Sequence, residues 1–103
     1  MESFELILTK KVALVDDVLP HPIGRKSMLF KTETQRECNL NETATRMLNI
    51  LLESTSIGEA YNQLQQEYKI GPEVLQKDLL ALIEKLVHRQ LIAINNPVAE
   101  VEV

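Results

Sequence analysis

Two kinds of hydrophobic spacing divide the chain near Asn39. Before that point the apolar positions recur every second residue: Phe4, Leu6 and Leu8, then Val12, Leu14 and Val18. Period-two spacing rich in β-branched residues predicts strands. The run Leu19-Pro-His-Pro-Ile-Gly24 reads as a turn, because proline cannot donate to a ladder and glycine tolerates unusual dihedrals. Ser27 to Phe30 predicts a second short strand, Lys31 to Gln35 a polar hairpin loop, and Arg36 to Leu40 a third strand.

From Asn41 the spacing becomes helical. Asn41 is a good N-cap, followed by Ala44, Met47, Leu48 and Leu51 on one face through about Glu53. Ser56-Ile-Gly-Glu59 is a capping box, and Ile57, Ala60, Tyr61, Leu64 and Tyr68 form the stripe of a second helix. Gly71-Pro72-Glu73 opens a third, with proline where no hydrogen bond is lost and glutamate at the positive dipole end. This helix should run to about Arg89, with a brief extended segment from Leu91 to Ile94. The order is β-β-β-α-α-α. It predicts an α+β, winged helix-turn-helix-like domain in which a three-stranded antiparallel sheet is followed by three helices. We divide the chain into residues 1–11, patterned as an extra strand, a domain over 12–94, and a C-terminal tail over 95–103.

The third helix carries two patterns. Leu75, Leu79, Leu82, Ile83 and Leu86, widened by Leu80 and Val87, form one arc that reads as core. A second face holds Val74, Asp78, Ala81 and Lys85, with Leu82 at its margin. A fully solvated face would be polar throughout. Val74 and Ala81 read either as tolerated surface residues or as the wall of a shallow groove, where Ala81 lets another chain approach closely.

Composition removes whole classes of function. The 103 residues include 11 Lys and Arg against 15 Asp and Glu, a formal charge of -4. That balance opposes a protein whose main work is gripping phosphate. The single cysteine, Cys38, can form no internal disulfide, and no Cys/His cluster suggests a metal. The start carries Glu2 and Glu5 where a signal peptide needs positive charge, and no apolar run is long enough to span a membrane. A cytoplasmic location follows as the expectation. The three glycines are dispersed, His21 sits between two prolines, and His88 falls near a helix end. No catalytic constellation and no cofactor motif emerges, so the chain reads as a binding protein.

Leu40-Asn-Glu-Thr-Ala44, Glu73-Val74, Asp78 and Leu91-Ile92 together resemble the coenzyme PQQ synthesis protein D family, which includes the precursor-peptide recognition elements of ribosomal peptide modification. The similarity covers roughly Val12 to Ile94. It implies a non-catalytic module without cofactor. Such a module binds the leader segment of a precursor peptide as an added strand and presents it to a modifying enzyme: a radical enzyme, a cyclase or a protease. On this resemblance the peptide would meet the third strand, Arg36, Glu37, Cys38 and Asn39, and the helix face of Val74, Asp78, Ala81, Leu82 and Lys85. Three positions depart from the family pattern: Glu37 stands where an aromatic is common, and Gln35 and Gln90 where glycine is usual.

The rival reading is a winged-helix DNA-binding regulator, whose third helix would enter the major groove. That helix balances Lys77, Lys85 and Arg89 against Glu73, Asp78 and Glu84, and the segment from Asn41 onward holds the whole negative excess. A phosphate-binding surface needs the reverse. The expectation is therefore no nucleic-acid partner.

Overall fold

The computed structural model describes residues 4–96. Its elements are α1 (Phe4–Ile7), β1 (Lys11–Leu14), β2 (Val18–Ile23), β3 (Lys26–Lys31), β4 (Arg36–Leu40), α2 (Glu42–Glu53), α3 (Ile57–Glu67), α4 (Pro72–His88) and β5 (Ile92–Asn95). β2, β3 and β4 form an antiparallel sheet in that order, followed by the three expected helices, while β1 and β5 pair antiparallel in a second, two-stranded sheet. The expected tail over 95–103 begins inside β5, at Asn95, and its residues from 97 onward lie outside the described segment.

α2 and α3 begin where their side-chain caps place them, and α4 begins at Pro72 without one. The Asn41 side chain accepts from Ala44 N–H at 2.8 Å. Ser56 Oγ accepts from Glu59 N–H, and the Glu59 carboxylate reaches back to Thr55 N–H rather than to Ser56, a capping box shifted by one residue. The two first orphan donors of α3, Ile57 and Gly58 N–H, bond Lys10 and Leu8 carbonyls at 2.8 Å each. The chain entering β1 therefore closes the end of α3. α4 ends in a Schellman motif: Leu91 N–H bonds Leu86 O, Gln90 N–H bonds Val87 O, and Gln90 takes φ 61°. Leu86 and Leu91, the hydrophobic pair of that motif, are both buried.

The N-terminal third departs from the sequence expectation in three ways. The segment around Phe4 is a single helical turn, not an extra strand. Phe4 and Ile7 turn inward three residues apart, Phe4 stacks edge-on against Tyr61 at 5.2 Å, and Leu6 points outward. Val12 and Val18 lie in different strands of different sheets, separated by a break at residues 15–17. The Pro20–Pro22 stretch is strand and not turn, and the turn itself comes later, at Gly24 with φ 63°. Prolines fit here because β2 is an edge strand and each proline occupies a position whose N–H would point away from β3.

The core joins β3, β4 and the helices through Leu29, Cys38, Leu40, Leu48, Leu51, Leu64, Leu79 and Leu86, all nearly inaccessible. The α4 arc is buried as expected at Leu75, Leu79, Leu82, Ile83 and Leu86, whereas Val87 at its edge is exposed. Lys31, expected in a loop, ends β3 and is buried against Asp17, Nζ to Oδ1 2.9 Å. Asp17 also accepts from Glu33 N–H, and its carbonyl accepts from Thr32 N–H. This one aspartate ties the β3–β4 loop to the start of β2.

Candidate functional site

Register decides which backbone groups of the sheet are free. Asp17 O accepts from Thr32 N–H, and β2 pairs with β3 as Leu19↔Phe30, Pro20↔Leu29, His21↔Met28 and Pro22↔Ser27. In an antiparallel ladder, hydrogen-bonded and non-bonded pairs alternate. Leu19, His21 and Ile23 therefore exchange bonds with β3, while Val18, Pro20 and Pro22 face the outer side. That outer side offers no donor at these three positions: Val18 N–H is taken by Val15 O, and the two prolines have none.

Alternation carries across β3. Its residues bonded to β2 are Lys26, Met28 and Phe30, so Ser27, Leu29 and Lys31 serve β4, pairing with Leu40, Cys38 and Arg36. Glu37 and Asn39 are left with N–H and C=O directed to the open edge of β4. The side chains split by the same period. Cys38 and Leu40 are buried toward the helices with Arg36 on their face, and Glu37 and Asn39 are exposed on the other.

Beside that edge lies an open cavity of about 650 Å³, lined by Lys31, Thr34, Arg36, Glu37, Cys38, His88, Arg89, Gln90 and Leu91. Its floor is fixed from several directions. Lys31 is locked by Asp17, whose carboxyl the Lys31 hydrogen bond and the Glu33 N–H hold below the usual carboxylate range. Leu91 is held by the helix-ending bond and by Val15 N–H, which donates to its carbonyl at 3.1 Å. Thr45 Oγ1 of α2 fastens the neighbouring strand ends, lying 2.9 Å from Ser27 Oγ of β3 and donating to the Leu40 carbonyl of β4 at 3.4 Å. Two elements, β4 and the end of α4, therefore face each other across a preformed gap.

Of the residues expected at a site, Arg36, Glu37 and Cys38 line this cavity, while Asn39 sits on the exposed edge beyond it. Val74, Asp78, Ala81 and Lys85 are exposed and lie outside the cavity lining. At about 100° per residue they fall between the directions of His88 and Arg89, which do line it. They form a stripe running from the cavity toward the start of α4. Leu82, at 8% exposure, belongs to the core and borders that stripe. His88 and Arg89 were not among the expected site residues. The signal was present, since His88 extends the spacing of Ala81 and Lys85 by three. Among the described residues no group of three or more His, Cys, Asp or Glu could hold a metal, and no helix is long and apolar enough to cross a membrane.

The family model described as coenzyme PQQ synthesis protein D (PqqD) matches residues 27–92, from β3 through α4 into β5. Two solved structures share the fold. One, TbiB1 in complex with the TbiA(beta) leader peptide, superposes with a TM-score of 0.71 at 20% identity, covering 77% of this chain and 92% of that one. The other, a lasso peptide synthetase B1 complexed with the leader peptide, gives 0.73 at 19% identity, covering 81% and 98%. No curated protein matches the sequence.

Proposed function

We propose that this chain, which belongs to the coenzyme PQQ synthesis protein D family, binds the leader segment of a ribosomally made precursor peptide as an additional strand on β4. The observation that carries the reading is the asymmetry of the sheet's two edges. β2 is closed to a further strand by Pro20 and Pro22, the device edge strands use against unwanted pairing. β4 keeps the N–H and C=O groups of Glu37 and Asn39 open, next to a cavity that can receive side chains. Main-chain bonds supply affinity to any extended peptide, and the walls select among peptides. The walls would be Arg36, Glu37, Cys38 and Asn39 on the strand, and Val74, Asp78, Ala81 and Lys85 on α4 with Leu82 beneath.

The family's work is non-catalytic peptide binding, so the chemistry on the precursor falls to another protein. A radical enzyme, a cyclase or a leader protease would receive the bound peptide. The residues of this role, on β4, on α4 and at the Val15–Leu91 bond, fall between positions 12 and 94.

The test uses peptides selected from a random 15-residue display library for binding to the protein. Amide hydrogen exchange should slow at Glu37 and Asn39 when a selected peptide binds, because their N–H groups leave water for a ladder. Slowing confined to other elements, with Glu37 and Asn39 unchanged, would rule out strand addition at β4.

A further inference from the structure

Charge is unevenly placed around the cavity. Lys31 and Arg36 are cross-strand partners, and Lys31, Cys38 and Leu40 are buried on the helix-facing side. Arg36 lies on that side by the period of two, and meets His88 and Arg89 across the gap. The one carboxylate among the lining residues, Glu37, belongs to the opposite face of β4. Lys31 is already neutralised by Asp17. Arg36 and Arg89 take part in none of the ion pairs of the described residues, which join Arg25 to Glu42, Lys31 to Asp17 and Arg46 to Glu67. A protein of net charge -4 thus directs two uncompensated guanidinium groups at one cavity. A cation on the last turn of α4 complements the helix dipole, which accounts for His88 and Arg89. It does not account for Arg36 on the other wall of the same cavity, which takes part in none of those ion pairs.

We propose that this cavity is a carboxylate-accepting subsite, and that the peptide added to β4 places an Asp or Glu side chain between Arg36 and Arg89. The inference rests on strand addition as proposed above and adds the class of peptide: one with an acidic residue in register with the start of β4. Guanidinium is suited to the role because its planar fork takes both oxygens of a carboxylate. An added strand presents alternate side chains to the helix-facing side, so the acid would recur at a single position and not as a general acidic bias.

The experiment repeats the 15-residue display selection, with the peptide C-terminus fused to its carrier so that a selected carboxylate is a side chain. Aligned binders of the wild-type protein should be enriched in Asp or Glu at one position. For the Arg36→Glu/Arg89→Glu variant, the same position should turn to Lys or Arg. One wild-type binder and its Glu→Gln form should differ by about tenfold in Kd, the scale of a charge-assisted hydrogen bond. That difference should vanish on an Arg36→Gln/Arg89→Gln variant. Both positions are exposed, and a thermal melt of each variant verifies folding. Binders that slow exchange at Glu37 and Asn39 yet show no acidic position, or one unchanged by charge reversal, overturn the subsite and leave strand addition standing. Binders that leave Glu37 and Asn39 exchange untouched overturn both.

Discussion

Proline substituted along β4 separates the fold from the binding surface residue by residue. Cys38 directs its N–H to Leu29, whereas Glu37 and Asn39 direct theirs to the open edge. Cys38→Pro removes a ladder bond, about 1 kcal/mol net, and strands the Leu29 carbonyl in the core, a further roughly 1–3 kcal/mol. The sum, about 2–4 kcal/mol, is a large share of the roughly 5–15 kcal/mol a domain of this size possesses. At about 4–8 °C per kcal/mol, the melting temperature should fall by roughly 8–30 °C. Glu37→Pro and Asn39→Pro remove no ladder bond to β3, so each should melt within a few degrees of wild type. Each also deletes a donor needed by the incoming strand and sets a ring in its path. A selected peptide should therefore bind at least about tenfold more weakly, from the lost bond plus the clash.

Alanine at the same two positions keeps the N–H and should change affinity far less. The assays are differential scanning fluorimetry and isothermal titration of one display-selected peptide against all variants. If Glu37→Pro and Asn39→Pro both fold and bind the peptide with wild-type affinity, the peptide does not use this edge. If Cys38→Pro melts like wild type, the register is displaced by one residue.

Three further outcomes follow from contacts elsewhere. Gly58→Ala should not bring the roughly 1 kcal/mol that alanine usually gains over glycine in a helix, measured by chemical denaturation: a Cβ there would stand 3.2 Å from the Leu8 carbonyl that Gly58 N–H bonds, and the full gain would mean that Leu8 yields. Gln90→Gly should be neutral or stabilising by up to about 1 kcal/mol, because glycine occupies the left-handed conformation without the strain glutamine bears at φ 61°, while β-branched Gln90→Val should lose stability. Acid should act through Asp17 and Glu67, whose carboxyls Lys31 and Arg46 hold below their ordinary values. Groups depressed on folding stabilise above their unfolded pKa, about 4, and lose that contribution as pH falls through the folded value. Melting should be flat from pH 7 to about 5 and drop below about 4, and an Asp17→Asn/Glu67→Gln variant should drop less steeply; equal slopes would remove these two groups as the cause.

The local grammar of the chain determined most of the helical half. Asn41 and Ser56 start helices through side-chain bonds to the N–H three residues on, Pro72 through its fixed backbone angle at the first helical position, and the α4 core arc follows from spacing alone. β4 was legible at its bounds because Cys38 and Leu40 alternate with polar neighbours. What lay beyond the sequence depended on partners distant in the chain. Pro20 and Pro22 read as a turn until the sheet made β2 an edge, where a missing N–H costs nothing and closes that side. Phe4 alternates like a strand but is drawn into a helical turn by Tyr61, 57 positions further on. Lys31 is loop-like by composition and buried by Asp17, fourteen residues before it. The candidate site divided in the same way. The residues of β4 and the α4 stripe carried their own periodicity, whereas His88 and Arg89 became part of the cavity through the Schellman turn at Gln90 and the bond from Val15 to Leu91. Spacing assigns a residue to a face, but which element stands opposite that face is set by long-range packing, and the meeting of Arg36 with Arg89 belongs to the tertiary structure alone.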